Sequence, residues 1–294
     1  MAKNIQLVII DAQNSFCKVV PQDEQQVVHD GELCVPGAWE DMNRVADMVK
    51  RLGKRLDDIH VTLDSHHLFH VAHPVWFRDS GGNHPNPFTI MRAENGKIVG
   101  STTDSSGQTH DVGEFTCFRP SVTKKTLEYL ESLQAAKRYP HCIWPPHCLI
   151  GTPGHNVVPQ LMDALLNWVV LKGDTIVDFV TKGSNPYVEH FSAVRAEVVD
   201  PADPSTQLNA AFIQTLEEAD EVLFAGEAGS HCLANTVRDI ANSFNDSEDK
   251  FLKKCVLLTD GTSPVPGFEV YQDDFVKEMT GRGMKTTTTV DYLK

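Results

Sequence analysis

The chain has 294 residues, which suffices for one large α/β domain or two smaller ones, and its hydrophobic share of 41% is ordinary for a globular protein. Its net charge of −14 argues against a nucleic acid as partner, because the phosphates would be repelled. No run approaches the roughly 20 apolar residues of a membrane span. The N-terminal residues resemble a strand rather than a leader peptide. The seven cysteines are scattered, which indicates reduced thiols in the cytoplasm.

Short apolar runs alternate with helical patterns along most of the chain. In chain order, the sequence predicts a strand at 5–10, a helix at 38–52, strands at 59–63, 175–180 and 221–225, a helix at 231–244, a strand at 256–259, a helix at 268–280 and a last strand at 286–290. This alternation is typical of a parallel β-sheet with helices on both faces. We therefore expect an α/β fold of three layers, formed by a single domain over residues 1–294.

The segment from about residue 74 to 140 interrupts this alternation. Residues 88–91 and 97–100 flank Asn95-Gly96, a strong hairpin signal, and residues 121–136 predict a helix with an N-terminal Ser or Thr cap. We interpret the segment as an insertion, because it has too few apolar residues for a core of its own. We expect it to pack over the carboxyl edge of the sheet as a lid or a subunit contact, with a simple surface excursion as the alternative.

Reactive side chains stand at the carboxyl ends of four predicted strands, where open parallel sheets bind ligands. Asp11, Asp64 and Lys182 each end a strand, and Cys232 begins the helix after another. Any one of them alone would be an ordinary loop residue, but together they predict a site. The free N–H groups at a helix start lower the pKa of a thiol and can hold an oxyanion, so we expect a reactive thiol at Cys232 and structural thiols elsewhere.

A cluster of histidines near Asp64 predicts a metal site. His66 follows Asp64 at a spacing that places both side chains on one face of an extended segment. His67, His70 and His73 follow closely, and a rigid Trp-Pro-Pro stem precedes another histidine at 147. One carboxylate with two or three imidazoles suits Zn²⁺, Mn²⁺ or Fe²⁺. A solvated histidine-rich loop is the alternative interpretation.

The chain resembles the isochorismatase-like cysteine hydrolases, and among them the nicotinamidases. The matching segments are residues 9–17 (IIDAQNSFC), 64–66 (DSH), 144–148 (WPPHC) with 151–154 (GTPG), and 226–232 (GEAGSHC), with a weaker match at Lys182-Gly183. These segments follow the order of the family over nearly the whole chain. The WPPHC segment is the most specific and favours nicotinamidases over other members.

The resemblance implies a catalytic role for each matched reactive residue. Cys232 would attack the amide carbon, Asp11 would take the thiol proton and give it to departing ammonia, and Lys182 would hold the pair and stabilise charge. The Glu227–Ala228 peptide bond would be cis, shaping an oxyanion hole from the N–H groups of Ala228 and Cys232.

The resemblance also implies a metal and a substrate. One divalent ion (Zn, Fe or Mn) would be bound by Asp64, His66 and His147, and it would contact the pyridine nitrogen. His70 fits the fourth ligand position better than His67 or His73 does. Phe16 and Trp144 would wall the ring of the substrate.

The implied reaction is the hydrolysis of nicotinamide to nicotinic acid and ammonia through a thioester, which feeds NAD salvage. The family often has Thr-Asp where this chain has Gly229-Ser230, and usually a small or apolar residue where it has Glu227. Three alternatives remain open: hydrolysis of another small amide or ureide by the same triad, a non-catalytic binding protein, and a zinc-hydroxide hydrolase that does not need Cys232. We expect a small-molecule amide as partner but no nucleic acid and no membrane, and a homo-oligomer is left open.

Overall fold

A computed structural model describes residues 3–17, 31–104, 106–244 and 248–294 of the chain. In chain order its strands are β1 (Ile5–Ile10), β2 (Asp58–Asp64), β3 (Phe77–Arg78), β4 (Ile90–Glu94), β5 (Lys97–Thr103), β6 (Thr109–Cys117), β7 (His141–Cys142), β8 (Asp178–Lys182), β9 (Glu221–Gly226), β10 (Cys255–Leu258) and β11 (Lys285–Thr287). Its helices are α1 (Ala38–Leu52), α2 (Thr123–Ala136), α3 (Pro159–Lys172), α4 (Ala210–Glu217), α5 (Cys232–Ser243) and α6 (Glu269–Gly281).

The main sheet of the described residues has six parallel strands in the order β11-β10-β9-β1-β2-β8. The chain passes from β1 through β2 to β8 by way of α1 and α3, and then fills the other half by way of α4, α5 and α6. Because crossovers between parallel strands are right-handed, these two groups of helices lie on opposite faces. The predicted three-layer α/β fold is confirmed. The strand order changes direction at β1, the point at which such sheets bind ligands.

Most predicted elements have the expected type and lie within a few residues of their expected bounds. The strand predicted at 175–180 instead begins at Asp178, because β8 pairs only with β2 and this ladder starts opposite His60. Helices α3 and α4 were not predicted. On α3, Leu166 and Val170 are exposed, so the amphipathic pattern that reveals a helix is weak. No helix in the described part of the chain is long and apolar enough to cross a membrane.

The segment at 74–140 forms most of a second, antiparallel sheet in the order β3-β6-β5-β4-β7. The predicted hairpin at Asn95-Gly96 is confirmed between β4 and β5. The expectation that the segment has too few apolar residues for a core is wrong, because Trp76 and other large side chains pack with α2 in a second apolar cluster. This cluster also includes Val188 from outside the segment. That the chain is one domain with an insertion stays a prediction.

The side-chain cap predicted for α2 is wrong. The helix begins at Thr123, and the residue at its cap position is Val122, whose side chain offers no acceptor. A 3-10 turn at Pro120–Val122 leads into the helix, and the Thr123 N–H donates to the carbonyl oxygen of Pro120. This turn satisfies one of the N–H groups that a helix start leaves without a partner inside the helix.

Candidate active site

The four predicted reactive residues lie together at the carboxyl edge of the main sheet. Asp11 follows β1, Asp64 ends β2, Lys182 ends β8, and Cys232 begins α5 directly after the turn that follows β9. All four side chains are buried. Asp11 has a φ of 42°, in the left-handed region that Asp enters more readily than most residues, and its carbonyl oxygen accepts the N–H of Gln13 at 2.7 Å. The chain therefore turns tightly where it leaves β1.

The ammonium group of Lys182 lies at the centre of this cluster. Its Nζ is 2.9 Å from Asp11 Oδ2, 3.0 Å from Asp64 Oδ1 and 3.6 Å from Cys232 Sγ. It also donates to the carbonyl oxygen of His190 at 3.0 Å. One buried cation thus contacts two buried carboxylates and the thiol, so each carboxylate has a neighbour of opposite charge.

Burial and neighbouring charges set the protonation states of the cluster. Burial alone would lower the pKa of Lys182, but Asp11 and Asp64 raise it well above its usual value, so the lysine stays charged. Burial raises the pKa of Asp11, while Lys182 opposes this shift. Burial likewise raises the pKa of Cys232 well above its usual value, and Asp11 and Asp64 add to the shift that Lys182 opposes.

The expectation that the helix start lowers the pKa of Cys232 is therefore wrong. Burial and two nearby carboxylates outweigh the favourable end of α5, and the thiol stays protonated. Lys182 Nζ contacts both side chains, so the Asp11 carboxylate lies close to the thiol. The site therefore offers a protonated thiol with a proton acceptor nearby, rather than a free thiolate.

The N–H groups of Ala228 and Cys232 lie in the turn between β9 and α5. In the described part of the chain, neither group donates to another atom. The turn is held by the Gly229 N–H, which donates to the Ser263 carbonyl oxygen at 3.0 Å. The predicted cis peptide bond between Glu227 and Ala228 is confirmed. Two unpaired N–H groups beside a thiol meet the requirement for an oxyanion hole, and this role stays a prediction.

Asp64, His66 and His147 form a group whose ligand atoms all lie within 4.8 Å of one another. Asp64 Oδ2 is 2.9 Å from His66 Nε2 and 3.4 Å from His147 Nε2. All three side chains are buried. This is the carboxylate and imidazole set that divalent transition metals take.

The hydrogen bonds of the two imidazoles fit a cation at this place. His66 Nδ1 is 3.1 Å from the Gly183 carbonyl oxygen, and His147 Nδ1 is 2.9 Å from the Pro145 carbonyl oxygen. Because a carbonyl oxygen only accepts, both rings carry a proton on Nδ1, and both Nε2 lone pairs are directed to the carboxylate of Asp64. Burial alone would lower the pKa of His66, but the charge of Asp64 outweighs burial and raises it. The pair thus favours a positive charge next to the Asp64 carboxylate.

The fourth predicted ligand, His70, lies outside this group. Its Nδ1 accepts the N–H of Ala72 at 3.1 Å, so the neutral ring carries its proton on Nε2 and keeps no lone pair for an ion. His73 has the opposite arrangement, because its Nδ1 lies 3.1 Å from a carbonyl oxygen and its buried Nε2 has no partner among the described residues. These bonds favour His73 over His70, and His67 is exposed. The identity of the fourth ligand stays a prediction.

A narrow pocket lies against Cys232. Phe16, Trp144 and Ala228, which the sequence predicts as substrate-binding residues, all line it. Asp64 and His147 of the metal group also line it, so the thiol and the candidate ion site open onto the same space. The remaining lining residues were not predicted; they are Leu33, Glu189, Phe191, His231 and Val265.

Glu189 is the acidic residue of this pocket that sequence reasoning missed. Its side chain is 4% exposed, and Oε1 accepts the N–H of His190 at 3.0 Å. No donor among the described residues reaches Oε2. Glu189 lies in a loop after β8 without a recognisable motif, so no local signal marked it.

Two other missed residues hold Asp11 and Asp64 in place. The Thr62 hydroxyl donates to Asp11 Oδ1 at 2.6 Å and accepts the Asp11 N–H at 3.0 Å. The Gln13 side chain accepts the Asp64 N–H and donates to the Asp64 carbonyl oxygen, both at 2.8 Å. Thr62 could have been suspected, because it lies two residues before Asp64 in a strand and so shares its face.

The inserted segment contacts the walls of the pocket but contributes no lining residue. The Tyr139 hydroxyl donates to the Ser230 carbonyl oxygen at 2.8 Å, and its ring centroid is 5.2 Å from that of His231. The ring of Phe88 lies 5.8 Å from that of Trp144. The segment therefore supports the pocket from behind, and its action as a lid or subunit contact stays a prediction.

No family model and no curated protein matches the sequence. Solved structures, in contrast, match the fold over almost the whole chain. The yeast nicotinamidase Pnc1p has a TM-score of 0.59 at 19% identity, over 96% of this chain and 99% of that one. A nicotinamidase/pyrazinamidase from Acinetobacter baumanii has a TM-score of 0.57 at 18% identity, over 99% and 98%. The pyrazinamidase of Pyrococcus horikoshii, solved in complex with zinc, has a TM-score of 0.52 at 18% identity, over 97% and 99%.

These matches show that the chain has the isochorismatase-like fold of the nicotinamidases. Four of the segments that suggested this fold contain the carboxyl end of a main-sheet strand; they are residues 9–17, 64–66, 182–183 and 226–232. At 18–19% identity the likeness defines the fold, and the chemistry has to be argued from the site itself.

Proposed function

We propose that the protein is a cysteine amidohydrolase that converts nicotinamide to nicotinic acid and ammonia, a reaction of NAD salvage. The observation that carries this proposal is the contact of Asp11, Lys182 and Cys232 in one buried cluster beside a pocket. A nucleophile, a proton acceptor and a cation within hydrogen-bonding distance are the groups that covalent amide hydrolysis requires.

The first half of the reaction breaks the amide bond. Cys232 Sγ forms a bond to the carboxamide carbon while the thiol proton passes to Asp11, and the N–H groups of Ala228 and Cys232 stabilise the oxyanion. Asp11 then gives the proton to the departing nitrogen, the C–N bond breaks, and ammonia leaves a thioester on Cys232. Because the thiol is protonated at rest, this direct transfer to Asp11 avoids any need for a free thiolate.

The second half regenerates the enzyme. Water attacks the thioester carbon, its proton passes to Asp11, and the C–S bond breaks as the thiol recovers that proton. Lys182 holds the Asp11 carboxylate next to the thiol in both halves of the reaction. Because it also binds Asp64, it weakens the repulsion between the two carboxylates.

The substrate assignment rests on the pocket. Phe16 and Trp144 offer aromatic walls for a flat ring, and Asp64, His66 and His147 are placed to hold a divalent ion beside it. When bound there, the ion would bind and orient a ring nitrogen of the substrate. Two proteins of this fold were solved with compatible ligands, the yeast nicotinamidase with nicotinaldehyde and PnC1 from L. infantum with nicotinate.

The test is ammonia release from nicotinamide by the parent protein and by Cys232→Ala. We expect turnover by the parent and its loss in the variant, with the fold and the metal content unchanged. Cys255→Ala is the matched control, because Cys255 is also buried but lies at the start of β10. Substantial turnover in Cys232→Ala would instead favour an attack by metal-bound hydroxide, the alternative that the sequence left open.

A second candidate is favoured by Glu189, which lines the pocket and whose buried Oε2 has no hydrogen-bond donor among the described residues. A substrate with an additional N–H donor would satisfy this oxygen, whereas nicotinamide has no such group on its ring. The same triad would then hydrolyse another small amide or ureide. Comparing kcat/KM for nicotinamide with that for an amino-substituted pyridine carboxamide decides between the two candidates.

A further inference from the structure

Glu227 presents a buried carboxyl group directly before the turn that carries the free N–H groups. Its side chain has no exposed surface and does not line the pocket. Oε2 accepts the N–H of Ser263 at 3.2 Å, and no donor among the described residues reaches Oε1. An ionised carboxylate that is fully buried with a single neutral donor is costly, so this group is protonated or has a further partner.

Asp41 of α1 supplies the missing partner. Its carboxyl group is within hydrogen-bonding reach of that of Glu227. Asp41 is itself buried, and it accepts hydrogen bonds from the Ser263 hydroxyl at 2.6 Å and from the guanidinium of Arg44. Two buried carboxyl groups in contact cannot both be ionised. Because Asp41 has a cation and a hydroxyl as donors, it is the ionised member, and Glu227 keeps the proton.

We infer that Glu227 is a positioning residue, which donates its carboxyl proton to Asp41 and thereby fixes the turn that presents the N–H groups of Ala228 and Cys232. Its consequence for catalysis rests on the proposed function. Ser263 provides the connection, since its N–H binds Glu227, its hydroxyl binds Asp41 and its carbonyl oxygen accepts the Gly229 N–H at 3.0 Å. Helix α1 is thereby linked to the residue that follows Ala228.

The charges around the pair support this arrangement. Burial raises the pKa of Glu227 well above its usual value, and the charge of Asp41 raises it further. Arg44 on α1 acts in the opposite direction but binds Asp41, so it favours the proton on Glu227. Burial also raises the pKa of the nearby Cys17 thiol, so this group is neutral and adds no charge to the pair.

The first test does not depend on activity. The substitution Glu227→Gln keeps an acceptor for Ser263 and a donor for Asp41, but the new side chain cannot ionise. The raised pKa of Glu227 stabilises the folded parent fully below the unfolded value of 4.5, and this contribution is lost as the pH rises toward the folded value. The folding equilibrium constant of Glu227→Gln relative to the parent should therefore grow about tenfold per pH unit from about pH 5 upward.

Urea unfolding of both proteins at several pH values between about 5 and 8 measures this ratio. Glu131→Gln, a change at an exposed position of α2, is the matched control and should give a ratio independent of pH. A ratio that is also flat for Glu227→Gln would overturn the inference, because Glu227 would then be ionised in the folded protein.

The second test separates positioning from simple support of the fold. Glu227→Leu has a similar volume but neither the donor nor the acceptor, so kcat for nicotinamide should fall about tenfold or more with little change in KM. Glu227→Gln should recover most of that kcat. Parent-like kcat in Glu227→Leu, or no recovery in Glu227→Gln, would overturn the inference. A parent inactive on every amide would refute the proposed function, while the unfolding experiment would still decide the proton shared with Asp41.

Discussion

Replacing Thr62 by Val tests whether Asp11 acts as the ionised proton acceptor. Thr62 is fully buried in β2, where Val has nearly the same shape and favours a strand. The change removes the hydroxyl that donates to Asp11 Oδ1 at 2.6 Å, and it leaves the Asp11 N–H without its acceptor at 3.0 Å. The contacts of Lys182 with the carboxylate are not touched directly.

The size of the effect follows from the hydrogen bond that is lost. A hydrogen bond to a charged group contributes about 1.5–3 kcal/mol, and one pKa unit corresponds to about 1.4 kcal/mol. The bond from Thr62 opposes the burial that raises the pKa of Asp11, so its removal should raise that pKa by about one to two units. The acidic limb of kcat/KM, which reports the ionised carboxylate, should move to higher pH by the same amount.

The loss of stability in Thr62→Val should also depend on pH. In the variant the folded pKa of Asp11 lies still further above its unfolded value, so the loss of stability is smallest at low pH and grows as the pH rises through the folded value. The assay is a set of pH profiles of kcat/KM for nicotinamide together with urea unfolding. Thr62→Ser keeps the hydroxyl and should restore the parent profile. An unshifted acidic limb in folded Thr62→Val would refute the role of an ionised Asp11.

Three further predictions concern the metal group and the ring. His147→Ala should lose its bound divalent metal, measured by elemental analysis, and its kcat should fall about 100-fold or more. His67→Ala, a change at an exposed position, should keep both the metal and kcat. Metal retained in His147→Ala would contradict the ligand assignment. Gly183→Ala should also lower metal content, because its Cβ would lie 2.6 Å from Asp64 Oδ1 at a residue with a φ of +82°; parent-like metal content would speak against this crowding. Benzamide should be a much poorer substrate than nicotinamide at saturating metal, because it lacks a ring nitrogen; equal kcat/KM would show that the ion does not contact the ring.

The location of the site could be predicted because its residues end strands. Asp11, Asp64 and Lys182 follow short apolar runs that are recognisable without a structure, and parallel strands bring such ends to one edge. The same reasoning placed Cys232 at the start of a helix. The order of strands and helices was therefore sufficient to predict that these four side chains lie at the same edge of the sheet.

The parts that sequence reasoning missed or left undecided depend on packing rather than on order. The pKa of Cys232 is set by how deeply the thiol is buried beside two carboxylates, which no local pattern reveals. The weakness of His70 as a ligand depends on one backbone N–H, that of Ala72, which fixes its tautomer. Glu189 reaches the pocket from a loop of irregular backbone, so neither the period of a strand nor that of a helix indicates which way it points.

The thioester on Cys232 is the central claim, and turnover of nicotinamide in the presence of hydroxylamine tests it most directly. Hydroxylamine attacks a thioester in competition with water, so the parent should release nicotinohydroxamic acid together with nicotinic acid, while ammonia release is not slowed. The Cys232→Ala variant should form neither product. Nicotinic acid as the sole product of the parent, with turnover retained in Cys232→Ala, would contradict the account and show that water attacks the amide directly.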